Sequence, residues 1–283
     1  MNKRLAFALC LPLLGCVVGE QPADMTGPGT GTGPGTGPGT GTGNDGLAHI
    51  TGSTMWTGTV DVAKQTVVDA GATLTVAAGT TVKFAPSTSI KVLGTVNVQG
   101  EKASLVHLSP ATVGGNYYGF SVQPGGKLTM AYAVQVGGPI SVDGGSFIAT
   151  DTQMSQAAGD FLLASAGTID VTYSAIGLEP GAGTDTTHCD MHFGGTGTTI
   201  KVSHSNISTS SYGLMLYAGT NLDLTYNNWF NNPIQIETMP QASGNITGGW
   251  FDKGAPTAGT GATLTYDYAN PVKTRLLDAG PRL

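Results

Sequence analysis

Three features of the sequence predict an all-β chain, and together they select a parallel β-helix of about ten coils over residues 48–283. Beyond about Ile50, short apolar-x-apolar runs alternate with Gly-containing turns, and no window carries a 3.6-residue apolar stripe. One unit then recurs, its second strands starting at Leu128, Phe147, Ile169, Ile200 and Leu222, which lie 19, 22, 31 and 22 residues apart. Finally, 44 Gly and a charged fraction of 11% fit short strands with many corners, while 40% apolar residues still supply a core. The alternative, an antiparallel β-sandwich or jelly roll, shares the short strands but gives no reason for repeats at coil spacing.

Residues 1–15 read as an export signal. Asn2-Lys3-Arg4 is a positive start, and the ten apolar-rich residues from Leu5 to Leu14 are too few to span a bilayer. They lead into Leu13-Leu14-Gly15-Cys16, which resembles the lipobox of bacterial lipoproteins. That resemblance implies that Cys16 becomes an acylated N-terminus, carrying palmitate among its chains and anchoring the protein to a membrane. Val17 after it, rather than Asp, implies the outer membrane or cell surface of a Gram-negative bacterium. Residues 16–47 are expected to be a tether: positions 27–43 read GPGTGTGPGTGPGTGTG, whose period of two excludes collagen. With no apolar side chain to repay ordering, this stretch predicts a solvated spacer averaging roughly 20–25 Å end to end.

The helix proper opens with short strands at Thr66-Val67-Val68, Ala72-Thr73-Leu74-Thr75-Val76, Thr81-Val82-Lys83-Phe84, Ser89-Ile90-Lys91-Val92, Gly94-Thr95-Val96-Asn97-Val98 and Leu105-Val106-His107-Leu108. The segments GATLTVAAGTTVKF and SIKVLGTVNVQG resemble the opening coils of right-handed parallel β-helix proteins of the pectin-lyase-like class. Asn227-Asn228-Trp229-Phe230 and Gly249-Trp250-Phe251 resemble closing coils. The resemblance implies a single-stranded, right-handed solenoid over about residues 56–270, and it specifies fold rather than activity. In the later coils, aligned slots predict columns. Ala131, Thr150, Thr172, Ser203 and Thr225 form one, and Ala133, Thr152, Ser174, Ser205 and Asn227 another. Tyr132, Asp151, Tyr173, His204 and Tyr226 lie between them as a mostly aromatic column.

A net charge of −6 leaves no basic field for phosphate backbones, so nucleic acid is not an expected partner. The pectin-lyase-like resemblance brings polysaccharide lyases and glycoside hydrolases to mind, which need a basic proton acceptor or clustered Asp with His, Arg and Lys. No Arg stands between Arg4 and Arg275, and no Asn-Thr-Asp, Asp-Asp or Arg-x-Lys cluster is present. Asp170 and Asp223 share a slot two coils apart, about 9.6 Å, the spacing of an inverting glycosidase pair. Lys201 between them makes an exposed ion ladder the simpler reading, at about 1 kcal/mol or less per pair.

The 31-residue interval carries the one insertion, fourteen residues between Ile176 and Met191. Insertions in a solenoid leave as surface loops, where repeat proteins place specificity. Glu179, His188, Asp190 and His192 are therefore the candidate ligand-binding surface. As a metal set His188, Asp190 and His192 fail on spacing, because residues four apart on an extended strand lie about 13 Å from each other. No metal or other cofactor is expected. Cys189 reads as a buried thiol, since its strand neighbour His188 should point to the opposite face.

The sequence thus predicts a non-catalytic structural or adhesive module, lipid-anchored at Cys16, that binds surface polysaccharide or another envelope protein. The alternative is a carbohydrate-active enzyme, a polysaccharide lyase or glycoside hydrolase, with its site near loop 177–192. Self-association through exposed strand edges at the ends of the helix is a further expectation.

Overall fold

The computed structural model describes residues 40–42, 45–179, 182 and 185–283. The export segment, Cys16 and the first part of the Gly-rich stretch lie outside the described residues. Among the described residues every helix or strand element is a β-strand, and the strands stack in parallel as a β-solenoid of about ten turns.

Three columns of strands build it. The first climbs from Ser53–Trp56 through Thr73–Ala77, Thr95–Gln99 and the start of Lys127–Val136 to Thr198–Ser203, Thr220–Asp223 and Thr263–Thr265. The second runs from Thr59–Val62 through Thr81–Phe84 and Val106–Pro110 to Ala175–Gly177, Asn206–Ser208 and Asn228–Phe230. The third joins Ala48–Ile50, Thr66–Val68, Ser89–Val92 and Gly119–Val122 to Cys189–Phe193, Tyr212–Leu216 and Ile234–Thr238. Among the described strands one pairing is antiparallel: Thr40–Thr42, within the stretch expected as spacer, lies along Ala48–Ile50, and an isolated antiparallel bridge joins Glu101 to Ser104.

Alternation drives the packing, because every second side chain of a strand faces inward. In the first column Leu74, Val96, Leu128, Phe147, Ile169, Ile200 and Leu222 are each paired with the next and all buried. Each such side chain contributes about 1.5–3 kcal/mol on leaving water.

The corner columns read from the sequence are in place, with a backbone reason. Tyr132, Asp151, Tyr173, His204 and Tyr226 all have left-handed φ, at 47, 50, 46, 50 and 58°. Such a turn costs a non-Gly residue roughly 1–2 kcal/mol. Stacking offsets part of it: Tyr173 lies over His204 at 5.1 Å and His204 over Tyr226 at 5.4 Å between centroids. The hydroxyl column satisfies the neighbouring amides. Thr152 N–H donates to Ser174 Oγ at 3.2 Å, Ser174 N–H to Ser205 Oγ at 3.1 Å, and Ser205 N–H to Asn227 Oδ1 at 2.9 Å. All four side-chain sites are fully buried, where an unmet N–H is costly.

The C-terminal segment returns across these coils as a strap. Leu276 exchanges hydrogen bonds with the Asn228 side chain, Gly280 N–H reaches His204 O, and Arg282 grips Asp151 by two side-chain bonds of 2.7 Å.

Candidate functional site

The last part of the insertion between Ile176 and Met191, from Asp185 to His188, is bound to the preceding coil. Thr187 Oγ1 accepts the Ala157 N–H at 3.1 Å, Asp185 Oδ1 accepts the Gln156 N–H at 3.1 Å, and His188 N–H donates to Gly159 O at 2.8 Å. Strand pairing resumes at Phe161 N–H to Cys189 O, 2.8 Å, and continues as Leu162 opposite Met191. Extended back two residues, that register sets Asp160 against Cys189.

Asp160 is the centre of the arrangement. Its Oδ1 lies 3.0 Å from His188 Nδ1 and its Oδ2 lies 2.6 Å from His192 Nδ1. Burial alone would raise its carboxyl, but hydrogen bonds from His192, His188 and Cys189 outweigh it and hold the pKa down at about 2. An ionised carboxylate only accepts, so the shared hydrogens belong to the two Nδ1 atoms and the thiol. Cys189 Sγ lies 3.2 Å from the same His188 Nδ1. A catalytic Cys-His pair needs an unprotonated ring nitrogen to take the thiol proton. Here that nitrogen already points its hydrogen at Asp160, and Cys189 is fully buried.

Aromatic neighbours set the two rings. His192 stacks on Tyr217 at 5.1 Å and 2°, and His188 meets Tyr212 at 5.1 Å and 54°. Donor atoms of Asp160, Cys189 and His192 all fall within 4.8 Å of one another.

The other expected residues are placed differently. Asp190 faces the interior with no exposure; Asn232 Nδ2 donates to its Oδ2 at 2.9 Å, and burial pushes its carboxyl well above the usual range. Asp190 is thus apart from the two histidines that flank it in sequence. Glu179 is held by Arg275, two contacts of 3.1 Å, and by Asn206 Nδ2 at 2.7 Å, so it anchors the C-terminal strap. Cys16 lies outside the described residues. Asp170, Lys201 and Asp223 are aligned in register, as the ladder reading requires.

Two of the sequence expectations change in geometry. The 13 Å separation for His188 and His192 assumed one extended strand, whereas the strand begins at Cys189 and His188 stands in the bend before it. Both rings therefore lean toward one carboxylate on the coil before. The same bend brings His188 to Cys189, which strand alternation would have kept apart. Asp160 escaped the sequence reading because nothing near it repeats; aligning Leu162 with Met191 was the available signal.

Beside Asp160 runs a groove of about 310 Å³, lined also by Ser87, Asn116, Tyr117, Tyr118 and Leu163. A second depression of similar size shares Asn116 and Ala158 with it. Tyr117 is buried and stacked on Phe84 at 4.1 Å, whereas Tyr118 is 59% exposed.

No protein-family model, curated protein or solved structure matches this chain. The reading of its function therefore rests on this geometry and on the sequence.

Proposed function

We propose that the protein is an exported binding module of the bacterial cell envelope, lipid-anchored at Cys16, which holds a surface polysaccharide on one face of its solenoid without turning it over. The observation that carries this reading is the groove that sets the exposed ring of Tyr118 beside Asn116, Ser87 and Asp160. A sugar ring presents apolar C–H faces and hydroxyl edges, and an aromatic face flanked by amide, hydroxyl and carboxylate groups matches both. The carboxylate bordering the groove is already engaged by His188 and His192, which favours binding over general acid–base work.

The address rests on the lipobox-like Leu13-Leu14-Gly15-Cys16, with the outer membrane of a Gram-negative cell as the destination. Multiple acyl chains anchor firmly, because each buried methylene adds about 0.8 kcal/mol. We read the solenoid as right-handed and pectin-lyase-like on the strength of GATLTVAAGTTVKF and SIKVLGTVNVQG.

A glycan array followed by calorimetry on the full chain tests the binding. The reading expects one glycan class to bind, with Tyr118→Ala and Asn116→Ala weakening it by about tenfold or more, the scale of a lost stacking or hydrogen-bonding contact. Binding unaffected by either variant would reject the groove. Turnover of the bound glycan would replace this reading with a carbohydrate-active enzyme near loop 177–192. Labelling cells with radioactive palmitate, with Cys16→Ala as the unlabelled control, tests the anchor.

A further inference from the structure

We propose that Asp160, Cys189 and His192, completed by His188, bind one divalent transition-metal ion, with zinc the best fit. The inference goes beyond the glycan reading and does not depend on it.

The first argument is convergence. Three donor atoms, one each from Asp160, Cys189 and His192, lie within 4.8 Å of one another. His188 Nδ1 stands beside this set, 3.0 Å from Asp160 Oδ1 and 3.2 Å from Cys189 Sγ, close enough to supply a fourth ligand with a small ring movement. Zinc bonds of about 2.0–2.3 Å in a tetrahedron separate the ligand atoms by roughly 3.3–3.8 Å. Where hydrogen bonds join them, at 3.0, 3.2 and 2.6 Å, the donor atoms are slightly closer than that, so those pairs need to spread by about 1 Å or less to admit an ion.

The donor set selects the ion. Two imidazoles, a thiol and a carboxylate suit zinc and its neighbours, whereas calcium and magnesium take oxygen ligands. Binding is balanced in charge and protons. Cys189 releases its thiol proton to solvent, and each imidazole carries its remaining hydrogen on Nε2 while Nδ1 meets the ion. Thiolate and carboxylate together then neutralise the dication.

The site is also preorganised from two coils. The backbone bonds from Phe161 to Cys189 and from His188 to Gly159 fix the spacing of the coils that carry the ligands. Tyr217 and Tyr212 hold the two rings in place. Cys189 is fully buried and the Asp160 side chain is 9% exposed, but the His188 side chain is 43% exposed and gives an ion its way in. A site with four protein ligands would act structurally, clamping the inserted loop to the coil beneath it.

The test is a titration of the full chain, reduced and stripped with a chelator, with cobalt(II) as the spectroscopic probe. The expected result is one equivalent bound, with a thiolate-to-cobalt charge-transfer band and tetrahedral ligand-field absorption, both abolished by added zinc. Cys189→Ser should lose the charge-transfer band, and His192→Ala should weaken binding by at least about tenfold, since even second-shell losses reach that size. Asp190→Asn, which lies outside the set, should bind as wild type does. Thermal unfolding of the wild-type chain gives a readout independent of any variant's folding: the midpoint should rise with zinc and not with magnesium or calcium. Absence of both the band and the rise in the wild-type chain would overturn the proposal, as would a band that survives Cys189→Ser.

Discussion

Replacing Arg282 by Ala probes whether the C-terminal strap fastens the solenoid. Arg282 gives Asp151 two side-chain bonds of 2.7 Å and a backbone bond of 3.0 Å, and its guanidinium lies 3.8 Å over the Tyr173 ring. The Asp151 side chain is 1% exposed and that of Arg282 is 53% exposed. A fully buried pair broken on one side costs about 3–5 kcal/mol, and a fully exposed pair about 1 kcal/mol or less. With one partner on each side of that division, and the 282 N–H still available to the carboxylate, the expected loss is about 2 kcal/mol. For a domain of this size that lowers Tm by roughly 4–8 °C.

The pH dependence supplies a second check. Burial would raise the Asp151 carboxyl, but the Arg282 bonds outweigh it and the pKa is lowered. A lowered carboxyl contributes stability above its unfolded value of about 3.8, and that contribution is lost as pH falls through the folded value. The gap in Tm between wild type and Arg282→Ala should therefore be full at pH 7 and shrink below about pH 4. Scanning calorimetry across that range, with Asp151→Asn and the double variant, measures the coupling. A shift below 1 °C at pH 7, or additive single effects, would show that the strap merely rests on the corner.

Asp190→Asn should flatten the stability–pH curve. Because burial raises the Asp190 carboxyl, the folded state holds an extra proton above about pH 3.8, and wild type loses up to about 1.4 kcal/mol per pH unit until the folded value is passed. Urea midpoints from pH 4 to 9 that fall equally in both proteins would reject that cause. Ser205→Ala strands the buried Ser174 N–H and should cost about 2 kcal/mol, read as a drop in the urea midpoint. A loss under 0.5 kcal/mol would mean that the corner ladder contributes little to stability.

The regular coils were legible because a parallel solenoid converts sequence spacing directly into contact. Once Leu128, Phe147 and Ile169 are aligned, the neighbours of every residue in those coils follow, including the stack of Tyr173, His204 and Tyr226. The left-handed φ shared by that column was not legible, since three of its five residues are Tyr and no Gly occupies the slot. The strap was hidden for a different reason: Arg282 reaches Asp151 across 131 residues outside the repeat. A repeat aligns what recurs, and these contacts occur once.

The same limit explains why the metal-ligand set is not legible in the sequence, and why it lies where it does. Corners of the regular coils are held by hydroxyl-bearing side chains stacked one above another. The coil with the insertion departs from that pattern and adds carboxylates to the hydroxyls of Thr186 and Thr187. Asp185 Oδ1 receives the Gln156 and Thr187 amides, while Asp190 stays within the interior beside Asn232. Asp160 gathers the two imidazoles and the thiol. A carboxylate that binds three protic donors in a low-dielectric setting has collected groups that become metal ligands once their hydrogens leave. The hydrogen-bonded cluster and the metal site are thus two states of one fastening, and the irregular coil is where the fold has most need of it.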